Sequence, residues 1–364
     1  MSTRLHLFCL SLCIAFSNAA LAQQSIPITI NSLKPVNITV PDEITANKSA
    51  VKFIPQSSTD YSILPKPTAE GFDGKYISLG DIFMEDDKAY LLYNDLVGGW
   101  PSKDINIALA SSEDMKTWKQ EDKILLSHKD MPFDFGEDPA FGYATSIVKH
   151  PNGTYYIYFD VLARDVNKGI GVATAPSLKG PWKVHNEMIL TPDVSNWDAY
   201  FVSASNVHWV NDEFHMYYAG SKKEGVNKET AIGVATSKNG IDWNRMDQPV
   251  FSKSSGTYFD SKKVDNPRVI RDGDQWIMVY RSDNADGTFG ANSSYGIATS
   301  KNGLSWTRIQ KDAILSEDDV SNWMTVWSLA FIKYKEAYHL FIEYDGPPVY
   351  GTRINHATYT GKID

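Results

Sequence analysis

The stretch AIGVATSKNGIDW, from Ala231 to Trp243, is the clearest copy of a pattern that recurs along this chain. Related stretches are INIALASSEDMKTW, GIGVATAPSLKGPW and YGIATSKNGLSW, which end at Trp118, Trp182 and Trp306. The four tryptophans are 64, 61 and 63 residues apart. INHATY, at Ile354–Tyr359, is a fifth and partial copy. A fixed period of this length is the signature of a repeat architecture.

Each copy follows a short aromatic segment that is typical of a β-strand. These segments are AYLLY from Ala89, YYIYF from Tyr155, FHMYY from Phe214, WIMVY from Trp276 and YHLFI from Tyr338. An outer strand follows each tryptophan, as ILLS, MILT, PVFS and AILS. With an inner strand before the aromatic one, every repeat holds four antiparallel strands, which make one propeller blade. The sequence therefore predicts an all-β, five-bladed β-propeller over residues 57–364.

The fifth copy ends after its third strand, so its outer strand must come from elsewhere. SILP, at Ser62–Pro65, matches the outer-strand pattern. We therefore expect an N-terminal strand to complete the last blade and to close the ring. Residues 23–56 are predicted to be a leader segment outside the repeats, with no assigned role.

The N-terminus has the pattern of a secretory signal peptide. Arg4 precedes the apolar stretch Leu7–Phe16, and Ala20-Leu21-Ala22 forms a small-residue cleavage site. Residues 1–22 are therefore predicted to be removed after Ala22, which gives a secreted or periplasmic protein without a membrane association. Both cysteines of the chain lie in this segment. The net charge of −9 argues against a nucleic-acid partner or an anionic membrane surface.

The segments YFDSKKVDNPRVIRDGDQWIMVY (258–280) and NWDAYFVSASNVHWVNDEFHMYYAG (196–220), each followed by an IGVATSKNGIDW-type segment, resemble five-bladed propeller glycosidases. The resemblance covers residues 57–364 and extends to glycoside hydrolase families 43, 32, 68, 117 and 130, with no single-family signature complete. It implies an enzyme that cleaves glycosidic bonds of plant or algal oligosaccharides or polysaccharides with paired carboxylates. The SKNGIDW and SKNGLSW segments resemble the Asp-box of sialidases and are interpreted as structural turns.

Glycoside hydrolysis needs two carboxyl groups, one as acid and one as base or nucleophile. The inner strands of a propeller converge on one central pocket, so carboxylates near their N-terminal ends are candidates. The candidate catalytic residues are Asp81, Asp138, Asp198, Asp265 and Glu343. The resemblance implies that Asp81 is the first-blade base or nucleophile, and Glu343 is the only Glu at its strand-end position. Asp265 lies beside a family 32-like segment, although alignment on the proline places Asn266 there.

Recurrence gives several of these residues a second interpretation. Asp138, Asp198 and Asp260 occupy one repeat position, with Asp73 as a relative. A residue needed in every blade is usually structural, because it caps a turn or bonds backbone amides. Asp95, Asp160, Arg281 and Asp283 end the same strand as Glu343 in other blades, which favours a solvated rim.

Aromatic and polar residues outside the repeated columns are candidates for sugar binding. They are Trp100, Trp197, Asp260, Arg268, Arg281, Trp323, Trp327 and Tyr344. By contrast, Trp118, Trp182, Trp243 and Trp306 are in register and are predicted to pack between strands.

No cofactor is predicted. The resemblance implies that a central calcium could be held near His208 or His356, but no ligand spacing supports a metal site. Two alternatives to a hydrolase stay open, namely a non-catalytic carbohydrate-binding propeller and glycosyl transfer or phosphorolysis on the same scaffold.

Overall fold

The repeat seen in the sequence corresponds to a set of four-stranded antiparallel sheets. The computed structural model describes residues 50–55, 62–64, 71–99, 104–121, 123–135, 138–139, 141–163, 166–223, 229–255, 258–283, 293–319, 325–346 and 349–364. The strands within these residues are, in chain order, β1 (Ile54–Pro55), β2 (Ile77–Glu85), β3 (Lys88–Leu96), β4 (Ile105–Ser112), β5 (Lys119–Gln120), β6 (Leu126–Ser127), β7 (Asp134–Phe135), β8 (Asp138–Pro139), β9 (Phe141–Lys149), β10 (Tyr155–Ala163), β11 (Val166–Ala175), β12 (Lys183–Val184), β13 (Phe201–Val210), β14 (Glu213–Ser221), β15 (Thr230–Ser237), β16 (Asn244–Arg245), β17 (Asp265–Asp272), β18 (Gln275–Asp283), β19 (Ser293–Ser300), β20 (Thr307–Arg308), β21 (Leu315–Ser316), β22 (Thr325–Tyr334), β23 (Ala337–Gly346) and β24 (Val349–Tyr359). Two short 3₁₀ helices span His128–Asp130 and Glu317–Asp319.

Five sheets form the blades of the predicted propeller. Their strand orders are β2-β3-β4-β5, β9-β10-β11-β12, β13-β14-β15-β16, β17-β18-β19-β20 and β22-β23-β24-β1. The first strand of each sheet is the inner strand, and every inner strand contacts its neighbours in the adjacent blades. Because these strands line the axis, residues at their N-terminal ends share one mouth. The five-bladed fold is confirmed.

The last blade is closed by the N-terminal segment, as predicted. Ile54 and Pro55 pair with Thr358 and Ala357 of β24, the position that the short outer strands hold in other blades. The amide of Ile63 donates to the carbonyl of Ile354 at 3.0 Å, so the SILP segment also reaches this blade. The blade therefore begins before residue 57, because Ile54 and Pro55 of the predicted leader already belong to it.

The recurring SKNG segments are turns that fix the blade edges. The side-chain oxygen of Asn239 accepts hydrogen bonds from the amides of Ile241 and Asp242, both at 2.9 Å. In the next blade Asn302 repeats this arrangement. A side chain that satisfies two backbone donors stabilises such a turn, and here the hydroxyl of Ser237 adds a bond from the amide of Gly240 at 2.9 Å. These segments are structural, as interpreted from the sequence.

Aromatic packing between blades accounts for the repeated tryptophans. Trp118 packs edge-on against Phe341 of the last blade, with ring centroids 5.4 Å apart. Trp306 packs in the same way on Tyr217, at 5.9 Å. Tyr217 also donates its hydroxyl hydrogen to the carbonyl of Gly303, at 3.0 Å. The rings thus bury apolar area between sheets while the buried hydroxyl stays hydrogen-bonded.

The pairing of every blade's first two strands contains a β-bulge near the mouth of the propeller. A bulge bends the strand and redirects its side chains. Ala204 and Asn266 sit in two of these bulges, in the left-handed region with φ of 53° and 50°. Non-glycine residues in that region cost energy and are concentrated at functional sites. No helix of the described residues is long and apolar enough to cross a membrane.

Candidate functional site

A cavity of about 540 Å³ opens where the N-terminal ends of the inner strands meet. All five blades line it, which agrees with the shared pocket expected for a propeller. The lining residues are Tyr76, Ser78, Leu79, Leu96, Tyr143, Ala144, Thr145, Asp160, Leu162, Ser203, Ala204, Asn266, Arg268, Trp327, Ser328, Glu343, Asp345 and Thr352. Its volume lies in the range of small-molecule sites.

One register position on the second strand recurs in every blade, and in two blades its side chain lines the cavity. Asn94, Asp160, Ala219, Arg281 and Glu343 all pair with the equivalent residue of the third strand. The four polar members each bond the backbone of the next inner strand. This latch position therefore joins neighbouring blades, and in two blades it places a carboxyl group in the cavity wall.

Asp160 is the first of these carboxyl groups. Both of its oxygens accept from the amide of Ala204, at 3.0 and 3.1 Å. The left-handed conformation of Ala204 is part of the bulge that presents this amide. Burial raises the pKa of Asp160 to about 7, although the Ala204 amide and the charge of Arg268 partly oppose the rise. Asp160 can therefore gain or lose a proton near neutral pH.

Glu343 is the second carboxyl group, and it is 5% exposed. Its Oε2 accepts from the amide of Leu79 and the hydroxyl of Ser78, both at 3.0 Å. The Ser328 hydroxyl is a further partner. Burial raises the pKa of Glu343 to about 7, and the nearby charge of Asp345 adds to the rise. Glu343 is a candidate catalytic residue from its position in the sequence, and its side chain lines the cavity.

Arg268 closes the floor of the cavity. Its guanidinium donates to the carbonyls of Leu329, Pro267 and Gly80, at 2.8, 2.9 and 3.0 Å. These carbonyls belong to the fifth, fourth and first blades. Arg268 is 2% exposed, so its charge lies in a poorly solvated position. A buried guanidinium requires both hydrogen bonds and a counter-charge.

Asp81 supplies such a counter-charge, and it does not line the cavity. Its carboxylate accepts from the amides of Ile82 and Ile147 and from the hydroxyl of Ser146, at 2.9 to 3.1 Å. Burial raises the pKa of Asp81, and the charge of Arg268 opposes the rise. The structure therefore places this predicted base as a tie between the first two blades, next to the charge of the floor arginine.

Asp198 and Asp260 lie away from the cavity in equivalent hydrogen-bonded triads. Asp198 accepts from the hydroxyl of Tyr218 and from Arg245, both at 2.8 Å. Asp260 accepts from Tyr280 at 2.8 Å and from Arg308 at 2.5 Å. Both aspartates are fully buried. The same Asp–Tyr–Arg contact thus occurs in two blades, which agrees with the structural interpretation of these aspartates.

The blade-four candidates lie at one side of the cavity. Asp265 has Arg281 at 3.5 Å and Lys263 at 3.7 Å. Arg281 donates to the carbonyl of Val326 at 2.9 Å and lies over the ring of Trp327, 5.4 Å from its centroid. Of these residues, the cavity wall includes only Trp327. The arginine therefore supports the tryptophan that faces the cavity.

Trp327 is further held by Asp345, which sequence reasoning did not identify. The indole Nε1 donates to Asp345 Oδ2 at 3.2 Å. Burial raises the pKa of Asp345, although the Trp327 bond and Arg353 oppose it. The alternation of side chains along β23 puts Asp345 on the same face as Glu343, and this period could have identified it.

Other candidates are not brought to the cavity. Tyr344 is fully buried in the core of the last blade, and Trp197 stacks on Tyr218 with centroids 5.6 Å apart. Asp138 lies in the two-residue strand β8, and only its backbone is described. Trp100 and Trp323 lie outside the described residues.

The histidines considered for a metal have other partners. His208 Nε2 is 2.7 Å from Asn206 Oδ1, and His356 Nε2 is 2.9 Å from His339 Nδ1. Burial lowers the pKa of both His208 and His356 to about 4. Within the described part of the chain, no group of three His, Cys, Asp or Glu residues is arranged to hold a metal ion.

Comparisons with known proteins agree with this architecture. The model of glycosyl hydrolases family 43 matches residues 80–203. A 1,2-β-oligomannan phosphorylase from Thermoanaerobacter sp. (strain X514) is 26% identical over 140 residues, which are 37% of this chain and 45% of that protein. This chain thus matches less than half the length of that relative.

Two solved structures share the fold at low sequence identity. A complex of BT0996 with RGII has a TM-score of 0.64 and 18% identity, covering 83% of this chain and 91% of that one. A structure from work on GH130 mannoside phosphorylases and hydrolases that target β-1,2 mannosidic linkages in Candida mannan has a TM-score of 0.61 and 15% identity. It covers 89% of this chain and 97% of that one. These findings confirm the predicted resemblance to the carbohydrate-active, five-bladed propeller superfamily of glycoside hydrolases, with no single family assigned.

Proposed function

We propose that this chain is an exported glycoside hydrolase that cleaves oligosaccharides from plant or algal polysaccharides, with Asp160 and Glu343 as the carboxyl pair. The observation that carries the proposal is that one cavity holds two carboxyl groups, from different blades, whose pKa values are both raised to about 7. Perturbed carboxyl groups in a cleft are typical of acid–base catalysis. Glycosidases of most families use such a pair.

Glu343 is the general acid in this proposal. The amide of Leu79 and the hydroxyl of Ser78 both donate to Oε2, so the proton of the acid form resides on Oε1. The nearby Asp345 charge favours this protonated form. Oε1 gives its proton to the glycosidic oxygen as the bond to the anomeric carbon breaks.

Asp160 is the base or nucleophile. The amide of Ala204 and the charge of Arg268 both favour the ionised carboxylate. As a base, Asp160 takes a proton from the water that attacks the anomeric carbon. As a nucleophile, it bonds to that carbon first, and water then releases the sugar. The anomeric configuration of the first product distinguishes these routes, since only the first inverts it.

Water fits the cavity better than phosphate does as the attacking group. Phosphorolysis needs cationic groups that bind phosphate. Among the described lining residues the only cationic side chain is Arg268, which donates to three backbone carbonyls. The similarity to a phosphorylase nevertheless makes phosphorolysis the second candidate. Carboxylates in the wall disfavour a phosphate by like-charge repulsion.

The test is a product analysis of the chain from Gln23 with arabinan, xylan, fructan, galactan and algal oligosaccharides. We expect reducing sugar without added phosphate, and its loss in Asp160→Asn and Glu343→Gln. Asp312→Asn and Glu336→Gln make the same chemical changes at exposed positions and should keep full activity. Sugar 1-phosphate formed only with phosphate would favour phosphorolysis. Binding without any product would favour the non-catalytic propeller.

Export is a separate part of the proposal and rests on the N-terminal pattern. Arg4, the apolar stretch Leu7–Phe16 and the small residues up to Ala22 support it. Expression of the full chain in a bacterial host should yield a secreted or periplasmic protein whose first residue is Gln23. N-terminal sequencing of each cell fraction measures this, and an uncleaved cytoplasmic protein would contradict it.

A further inference from the structure

We propose that the cavity accepts neutral sugars and excludes sugars that carry a carboxylate or sulfate at the bound unit. This inference rests on the proposed function only in taking the cavity as the sugar site. It narrows the substrate class from glycans in general to uncharged oligosaccharides.

The charges in the wall are the first argument. Among the described lining residues, the ionisable acidic side chains are those of Asp160, Glu343 and Asp345, and the only basic one is that of Arg268. A carboxylate on the ligand would therefore be repelled by Asp160 and Asp345 wherever these are ionised, and a protonated Glu343 would offer it no compensating positive charge. Like charges brought together in a desolvated site repel each other and strongly weaken binding.

The basic groups around the site already have partners. Arg268 donates to three carbonyls of three blades, and its charge is next to that of Asp81. Arg281 has Asp265 at 3.5 Å and donates to backbone and to Ser293. The positive charge of Arg353 favours the ionised form of Asp345. Recognition of an acidic sugar needs a fork of donors aimed at the ligand, as a bidentate arginine supplies.

The burial of these same carboxyl groups shows that the cavity wall solvates negative charge poorly. Burial raises the pKa values of Asp160, Glu343 and Asp345. A site that disfavours the ionised form of its own carboxyl groups disfavours an additional carboxylate for the same reason. The low solvation that suits acid catalysis thus also selects against charged sugars.

The remaining wall suits an uncharged sugar. Ser203 offers a hydroxyl group and Asn266 an amide for sugar hydroxyls, and the Thr352 hydroxyl, which donates to the carbonyl of Ile77, can still accept a hydrogen bond. Trp327 presents an aromatic surface whose position is fixed by Asp345 and Arg281. Sugars carry apolar C–H faces beside their hydroxyls, so this mixture matches them without any net charge.

The test compares ligands that differ only at C6, where the neutral sugar has a hydroxymethyl group and the uronate a carboxylate. Calorimetry measures binding of the wild-type chain to matched pairs of oligosaccharides, namely galactose and galacturonate, glucose and glucuronate, and mannose and mannuronate. Neutral arabino- and xylo-oligosaccharides complete the panel. We expect at least one neutral member to bind, and any uronate partner to bind at least about 100-fold more weakly.

Variants make the interpretation specific. Asp345→Asn removes one negative charge from the wall, so the ratio of neutral to uronate affinity should fall by about tenfold or less. Asp312→Asn, at an exposed position, should leave this ratio unchanged. A uronate that binds within about tenfold of its neutral partner would overturn the inference, as would a panel in which no neutral member binds. Neutral binding without cleavage would remove the hydrolase proposal and leave the charge selectivity in place.

Discussion

Replacing Asp160 by Asn is predicted to slow hydrolysis strongly and to stabilise the protein at alkaline pH. The ordinary pKa of this carboxyl is 3.8 and burial raises it to about 7, so folding favours the protonated form. The contribution of Asp160 to the free energy of unfolding is fully present below the pKa that this group has in the unfolded chain. It is lost as the pH rises through the pKa of the folded protein. Linkage gives a loss of about 3 kcal/mol between pH 5 and pH 8.5 from this group alone.

An asparagine at this position does not titrate, yet its side-chain oxygen still accepts from the amide of Ala204. The variant should therefore lose about 3 kcal/mol less stability than the wild type over that interval. Urea unfolding at both pH values measures the difference, and Asp312→Asn at an exposed position is the control. We also expect hydrolysis to fall by about 10²- to 10⁴-fold, the range for loss of a general base.

The two readouts separate the two parts of this reasoning. Equal losses of stability in the variant and the wild type would show that burial does not raise the pKa of Asp160. A variant that is stabilised at alkaline pH but hydrolyses at the wild-type rate would refute the catalytic role. Proteins commonly retain such destabilising groups where their chemistry requires them.

Four further changes test the remaining assignments. Glu343→Gln should slow natural oligosaccharides by about 10²- to 10⁴-fold but activated aryl glycosides much less, because a good leaving group needs no acid; equal losses on both would argue against a general acid. Trp327→Ala should raise KM with little change in kcat if the ring binds sugar in ground and transition states alike; steady-state kinetics measures this, and an unchanged KM would remove the role. Arg245→Leu leaves Asp198 buried without its cation and should cost about 3 kcal/mol of stability at unchanged kcat, and an equal melting temperature would contradict the triad. Asp81→Asn should lower stability but leave hydrolysis measurable at low temperature, whereas a folded and inactive variant would restore Asp81 as the catalytic base.

The fold was accessible from the sequence because its determinants recur. The turn asparagines, the packed tryptophans and the aromatic strands each perform the same task in several blades, so one period revealed them. The closure of the ring was also predictable, since the missing outer strand had to come from the N-terminus. The exact segment was harder, because a two-residue strand such as Ile54–Pro55 carries almost no pattern of its own.

The same recurrence left part of the site prediction open between a catalytic and a structural interpretation. Asp198 and Asp260 stood out as repeated carboxylates, yet each is matched by a tyrosine and an arginine of its own blade. The signal was present in the sequence: Arg245 and Arg308 each follow the blade tryptophan by two residues, in the two blades that hold these aspartates. A buried carboxylate that is paired with an arginine and a tyrosine hydroxyl of its own blade is a structural group, because its charge is already compensated.

Glu343 was a candidate from the sequence, whereas Asp160, which the sequence assigned to a solvated rim, joined it only when the second strands were aligned residue by residue. The latch position holds Asn94, Asp160, Ala219, Arg281 and Glu343, and its common task is to bond the backbone of the next inner strand. An amide or a guanidinium performs that task without having a pKa that burial shifts into the neutral range. A carboxyl group performs it at the expense of a pKa raised to about 7. Other residues suffice at this position, so the carboxyl groups in two blades are best explained by a need for their chemistry. Variation within a repeated position, and not the repetition itself, therefore indicates the catalytic residues.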